Sequence, residues 1–188
     1  MSRTMTHARF SGAQRLLHWT MAAGIVAMLF IGVGMLSTVA PSYVPLLATH
    51  KTLGVALFAL VLVRLVLRLV LGAPPLPASL PPLMRLGAVL SHWGLYGLMI
   101  ALPLLGWAML STADYPVVLF GNFRLPPILP QSDSLHTLLW AAHRWLAFAF
   151  FALILLHVAA ALFHALVRRD GVFEAMSPLP LQTTERKE

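Results

Sequence analysis

Histidine is the residue type that stands out. The chain has eight, in 188 residues with few other groups able to do chemistry. Three of them, His143, His157 and His164, are spaced by 14 and then 7 residues. On an α-helix of 3.6 residues per turn, both intervals bring the side chain back to nearly the same face. One helix face therefore offers imidazoles at several heights. With a rise of 1.5 Å per residue, His143 and His157 stand about 21 Å apart along the axis. That is too far for one metal site and suits two sites stacked along the helix.

The elements that must position these rings are membrane spans. The chain is 59% hydrophobic and only 10% charged, against roughly 25% charged residues in soluble domains. Its mean hydropathy is +0.83. Four apolar runs, at about 14–36, 50–71, 88–110 and 141–167, reach the ~20 residues that a hydrocarbon core requires. Proline-rich connections separate them: 37–47 with Pro41 and Pro45, 72–82 with five prolines, and 111–139 with four. Proline lacks a backbone donor and stops helices, though Pro103 inside the third run is tolerable in a membrane helix. The expected fold is thus all-α, an integral membrane four-helix bundle over residues 1–176, with a polar tail over 177–188. The first run is too long for the apolar core of a signal peptide, and Pro41 follows the one small-residue site, Ala40.

Charge orients the bundle. The net charge is +7, from 13 Lys+Arg against 6 Asp+Glu. With a cytoplasmic N-terminus, Arg3, Arg9, Arg15, Arg64, Arg68, Arg85, Arg168, Arg169, Arg186 and Lys187 lie inside, and Lys51, Arg124 and Arg144 lie outside. This bias predicts both termini in the cytoplasm. The basic residues flank apolar runs and form no single polar face, so nucleic acid is not the partner; lipid is. Cysteine is absent, which excludes disulfides, iron–sulfur clusters, zinc–thiolate sites and covalent haem attachment through C-x-x-C-H.

An ionisable side chain at membrane depth is a functional candidate by default. His7 lies in the N-terminal arm and says little. His50 opens the second span on the outer side, level with His143, so these two form the expected outer pair. His18, early in the first span, is the inner partner for His157, with His92 and His164 in reserve. Depth arithmetic leaves the inner pair open, and a first helix beginning near Ser11 would bring His18 closer to the level of His157. Two histidines from facing helices suit haem. They suit zinc poorly, because structural zinc wants four ligands at one point.

The arginines add to the case. Arg64 and Arg68 are four apart and share a face near the inner end of the second span. Buried charge needs a counter-charge, yet Asp114, Asp133, Asp170, Glu174, Glu185 and Glu188 all lie outside the spans. Lipid phosphate or haem propionates are the available anions. Lys51 and Arg144 directly follow His50 and His143, where they face outer propionates or draw in an anionic reductant. The lack of acids in the spans argues against a proton pump or cation carrier.

These pieces, in this order, resemble the bacterial cytochrome b561 family. They are Leu17-His18-Trp19, His50-Lys51-Thr52-Leu53-Gly54, Arg64-Leu65-Val66-Leu67-Arg68-Leu69, Ser91-His92-Trp93 and Ala101-Leu102-Pro103-Leu104-Leu105-Gly106, then His143 and the run Leu156 to His164. The resemblance spans about Phe10 to Met176. It implies two non-covalent haems b, ligands at His18, His50, His143 and His157, and electron exchange with ubiquinone in the bacterial inner membrane. With four spans and no appended domain, the chain is most similar to the stand-alone superoxide:ubiquinone oxidoreductase type. Relatives of the other type are cytochrome subunits of dehydrogenases and hydrogenases.

The expected activity is electron transfer from superoxide, or from a periplasmic redox protein, to ubiquinone, with no bond-making side chain. A quinone head near the inner surface would meet His92 or His164. Phe150, midway between His143 and His157 on their face, either packs between two haems or fills the core. A relay subunit for a periplasmic dehydrogenase or hydrogenase is the alternative within the same chemistry. A histidine-lined metal carrier is the alternative outside it, and it is disfavoured by the missing carboxylates and cysteines.

Overall fold

The structure, a computed structural model, describes residues 9–37, 40–120 and 122–179. His7, Arg3 and the tail beyond residue 179 lie outside the described residues. Four long helices dominate: α1 (Gly12–Ser37), α2 (Tyr43–Leu71), α3 (Pro82–Thr112) and α4 (Asp133–Phe163). A single π-helical turn (His164–Arg168) continues α4, and a short helix α5 (Val172–Met176) ends the described chain. All four long helices are long and apolar enough to cross a membrane.

Local chemistry sets the helix ends. Ser11 and Gln14 cap α1 reciprocally: the Ser11 hydroxyl accepts from the Gln14 amide, and the Gln14 side chain accepts from the Ser11 amide. α3 opens on Pro82, where no backbone donor is needed. Ser132 caps α4 by accepting from the Leu135 amide. Three helices extend well beyond their apolar runs. α2 takes in Pro45 within its first turn, where a missing N–H goes unnoticed, and α3 begins at Pro82, six residues before its run. α4 starts at Asp133 rather than near residue 141, because its first two turns are polar and capped.

Large side chains such as Phe30, Val66, Leu69, Leu83 and Leu155 are exposed on the bundle exterior. In lipid this is the expected inside-out arrangement, since the surrounding tails are as apolar as leucine. The helices associate as two hairpins. α1 packs along α2 and α3 along α4, whereas α2 approaches α3 less and α1 hardly approaches α4. A cleft therefore runs between the hairpins.

Each end of the bundle is tied down. On one side, residues 113–132 fold over α3 and form a two-stranded hairpin, β1 (Val118–Leu119) and β2 (Phe123–Arg124), with Val118 opposite Arg124. The Trp107 indole donates to the Pro126 carbonyl, and the Ile128 amide donates to the Ser111 hydroxyl. On the other side, α5 is bound to the start of the chain: the Trp19 indole donates to the Met176 carbonyl and the Arg9 guanidinium to those of Ser177 and Leu179.

Candidate functional site

The histidines meet across the cleft. His18 of α1 stands opposite His157 of α4, with ring centres 6.4 Å apart and planes at 69°. His50 of α2 stands opposite His143 of α4, at 6.3 Å and 69°. The two pairs have the same geometry, and they lie four turns apart along α4. Both partner helices belong to the hairpin that α4 does not pack against, so each pair bridges the two halves of the bundle.

Ring separation tests what fits between them. Two imidazoles on opposite sides of one iron have ring centres about 6.3 Å apart, given metal–nitrogen bonds of about 2 Å and ring centres about 1.2 Å behind each nitrogen. Both cross-helix pairs match that value. His92 of α3 approaches His157 to 5.6 Å with planes at 82°, which is shorter than one iron between them requires. The His92 Nδ1 donates to the Ala88 carbonyl one turn back, at 2.6 Å.

Backbone contacts prepare the outer pair. The His143 Nδ1 donates to the Leu102 carbonyl at 3.1 Å. A carbonyl can only accept, so this bond fixes the tautomer and leaves Nε2 with its lone pair. Gly106 makes room for the ring, since a Cβ there would lie 3.4 Å from the His143 Cε1. The His50 Nδ1 is buried without a hydrogen-bond partner, so the bond that orients His143 has no counterpart there. Arg144 lies over Trp140 and Trp145, its guanidinium carbon 4.6 and 5.4 Å from the ring centres. Lys51 is half-buried in the third turn of α2.

The inner pair has arginine beside it. Arg64 lies within electrostatic range of His18, His92 and His157. Its guanidinium donates to the Gln14 carbonyl at 3.3 Å, and no ion pair meets it among the described residues. Arg68 lies over the Phe10 ring at 5.3 Å, within range of His92. A half-buried guanidinium with only a carbonyl to bind suits an anionic group such as a propionate. Phe150 is buried at mid-depth on α4, between the two pairs in sequence.

His164 stands apart from the pairs. Its Nδ1 lies 2.9 Å from an Asp170 carboxylate oxygen, and Asp170 also accepts from the Arg168 Nε at 2.8 Å. This partnership was invisible in the sequence, where Asp170 is one of six scattered acids. His136 was missed as well, because it precedes the apolar run. It lies on α4, seven residues before His143 as His164 lies seven after His157, and its Nδ1 donates to the Met109 carbonyl at 3.0 Å. The repeated interval was the available signal. Among the described residues, no group of three or more histidines, cysteines and acids converges closely enough to hold a bare metal ion.

Comparison with known proteins identifies the family. The family model for prokaryotic cytochrome b561 matches residues 9–178. Cytochrome b561 homolog 2 of Escherichia coli (strain K12) is 32% identical over 180 residues, covering 94% of this chain and 95% of the relative. A probable superoxide oxidase CybB of Yersinia pestis is 29% identical over 173 residues, covering 92% and 97%. Cytochrome b561 homolog 1 of Escherichia coli (strain K12) is 27% identical, covering 90% and 97%. The match runs through all four long helices and every paired histidine, and the chain belongs to the prokaryotic cytochrome b561 family of haem-dependent membrane electron-transfer proteins.

Proposed function

We propose that this chain is a di-haem b cytochrome of the bacterial inner membrane that oxidises superoxide at its outer side and reduces ubiquinone at its inner side. One observation carries the reading. Two histidine pairs with nearly equal separations, 6.4 and 6.3 Å, bridge the cleft at two depths, and each pair would hold one haem. His18 with His157 would hold the inner haem, and His50 with His143 the outer. Arg64, with Arg68 behind it, would meet inner propionates. The excess of Lys and Arg at the end carrying both termini supports a cytoplasmic placement of that end.

Bound between these pairs, haem supplies one-electron chemistry at iron. The chain supplies the rest. Arg144 and Lys51 put positive charge beside the outer pair, which favours approach of an anion. Superoxide gives up one electron and leaves as dioxygen, so the outer side needs no proton donor. Ubiquinone takes two electrons and two protons to become quinol, so two superoxide ions serve each quinone. The one acid in the four long helices, Asp133, opens α4 at its outer end, and the protons would enter from the inner surface. His164 and His92 are the imidazoles in reserve on that side.

The relay-subunit alternative has one structural support. Phe120, at the tip of the outer hairpin, is 85% exposed with φ of 49°, an apolar point that a periplasmic redox protein would cover. The purified protein separates the two readings. Rapid loss of superoxide coupled to quinol formation, with no other protein present, is the expected result. Haem reduction only when a dehydrogenase is added would transfer the role to the alternative.

A further inference from the structure

The most elaborate polar construction outside the paired histidines lies where α4 ends. The π turn His164–Arg168 carries a wide hydrogen bond from the Arg169 amide to the His164 carbonyl at 2.7 Å. Arg169 then takes a left-handed conformation, φ 49°, and Gly171 does the same at 81°. These two reversals fold the chain back so that Asp170 reaches His164, six residues earlier. Its two carboxylate oxygens lie 3.0 and 2.9 Å from the His164 Nδ1. The Arg168 Nε donates to the same carboxylate, while its Nη2 donates to the Ser79 carbonyl in the connection before α3. Both side chains are largely enclosed, His164 at 13% and Asp170 at 9% exposure. Among the described residues, every ion pair converges on this one acid.

Helix stability does not call for this arrangement. The C-terminal end of a helix carries partial negative charge and favours a cation there. A strained left-handed non-glycine residue and a π turn, both enriched at functional sites, are spent on bringing an anion to that end. Its evident effect is on the ring: a carboxylate held ionised by Arg168 fixes the proton of His164 on Nδ1, leaving Nε2 as the atom that exchanges.

We propose that Asp170 is the positioning residue of a proton-delivering pair, holding His164 so that its Nε2 passes protons to the carbonyl oxygen of a quinone at the inner face. The proposal rests on the reading that ubiquinone is reduced on this side. For each proton delivered, the N–H bond at Nε2 breaks and an O–H bond forms on the quinone oxygen. The electrons are those that superoxide gives up in the proposed reaction, and Nε2 regains a proton from water at the inner surface. The Nδ1 proton stays with the ring and the carboxylate throughout. Two such transfers, with two electrons, complete the quinol.

The test uses the full haem-loaded chain, reduced stoichiometrically with dithionite and mixed with a short-chain ubiquinone analogue. Asp170→Asn should slow haem reoxidation about tenfold or more, in line with the loss of an orienting outer-shell partner. The quinone KM should change by less than about threefold, with the haem spectrum unaltered, and Asp170→Glu should restore most of the rate. Nitrogen-15 shifts of His164 in the wild type, assigned with His164→Gln, should report a proton on Nδ1. Wild-type rates in Asp170→Asn, a defect confined to KM, or an unprotonated Nδ1 would each overturn the proposal. If Asp170→Asn fails to take up haem, the wild-type shifts decide. If quinone does not reoxidise the wild type, the quinone reading itself falls and takes this proposal with it. Normal wild-type reoxidation beside an unaffected variant removes the proposal alone.

Discussion

His143 on α4 donates from Nδ1 to the carbonyl of Leu102 on α3, at 3.1 Å, and that bond settles which ring nitrogen is free. The carbonyl sits one turn before Gly106, whose missing side chain lets the ring lie against the helix. α3 thus orients the ring from one side, leaving Nε2 for whatever the cleft holds. The same hairpin that packs His143 against α3 aims it at His50 in the other hairpin.

Gly106 is therefore a point where size alone should remove one haem. An alanine Cβ would stand 3.4 Å from the His143 Cε1, a contact that a small shift relieves. Gly106→Leu adds atoms that the ring cannot avoid. Gly106→Ala should keep both haems. Gly106→Leu should fall to about one haem per chain, judged by pyridine haemochrome against protein concentration, with the inner pair intact.

Arg144 tests the outer approach. Stacked on Trp140 and Trp145, it holds its charge one residue along α4 from His143. Arg144→Gln should retain haem and slow superoxide consumption a few-fold at low ionic strength. The salt dependence of the rate should shrink too, because part of what salt screens is gone. Stopped-flow rates at two salt concentrations check both statements.

The His164–Asp170–Arg168 cluster sets a dependence on acid. Burial opposes ionisation of Asp170, and hydrogen bonds from Arg168 and His164 outweigh it, holding the carboxyl below its ordinary range. A depressed carboxyl stabilises the fold above its unfolded value of about 4 and loses that contribution as pH falls through the folded one. Asp170→Asn should therefore lower stability by about 1 kcal/mol at pH 7 and pH 5. The difference between the two proteins should begin to shrink below about pH 4 and close only once the pH has passed the lower, folded value. Thermal unfolding of both across that range reads it directly.

Much of this was legible in the residues. Four apolar runs announced four spans, and the 14-residue interval between His143 and His157 announced two depths. The inner pair could not be read from depth, since it turns on where α1 begins. The Ser11–Gln14 cap starts the helix at Gly12, which carries His18 to His157. His136 escaped notice because apolarity marks spans, whereas α4 extends through a capped polar stretch. The Asp170–His164 bond escaped because it depends on a π turn and two left-handed residues, and short spacing rules describe neither. The contact of Arg68 with the Phe10 ring was not legible either, because the search there was for a counter-charge.

Haem stoichiometry in single histidine variants tests the central claim most directly. The wild type should bind two haems b per chain. His50→Ala and His143→Ala should each bind about one, as should His18→Ala and His157→Ala. The remaining haem should have one spectrum and potential within the outer couple and another within the inner couple. His92→Ala should keep both haems. Loss of haem in His92→Ala with full retention in His18→Ala would contradict the inner pairing. A wild type without a haem b signal in its reduced-minus-oxidised spectrum would contradict the account as a whole.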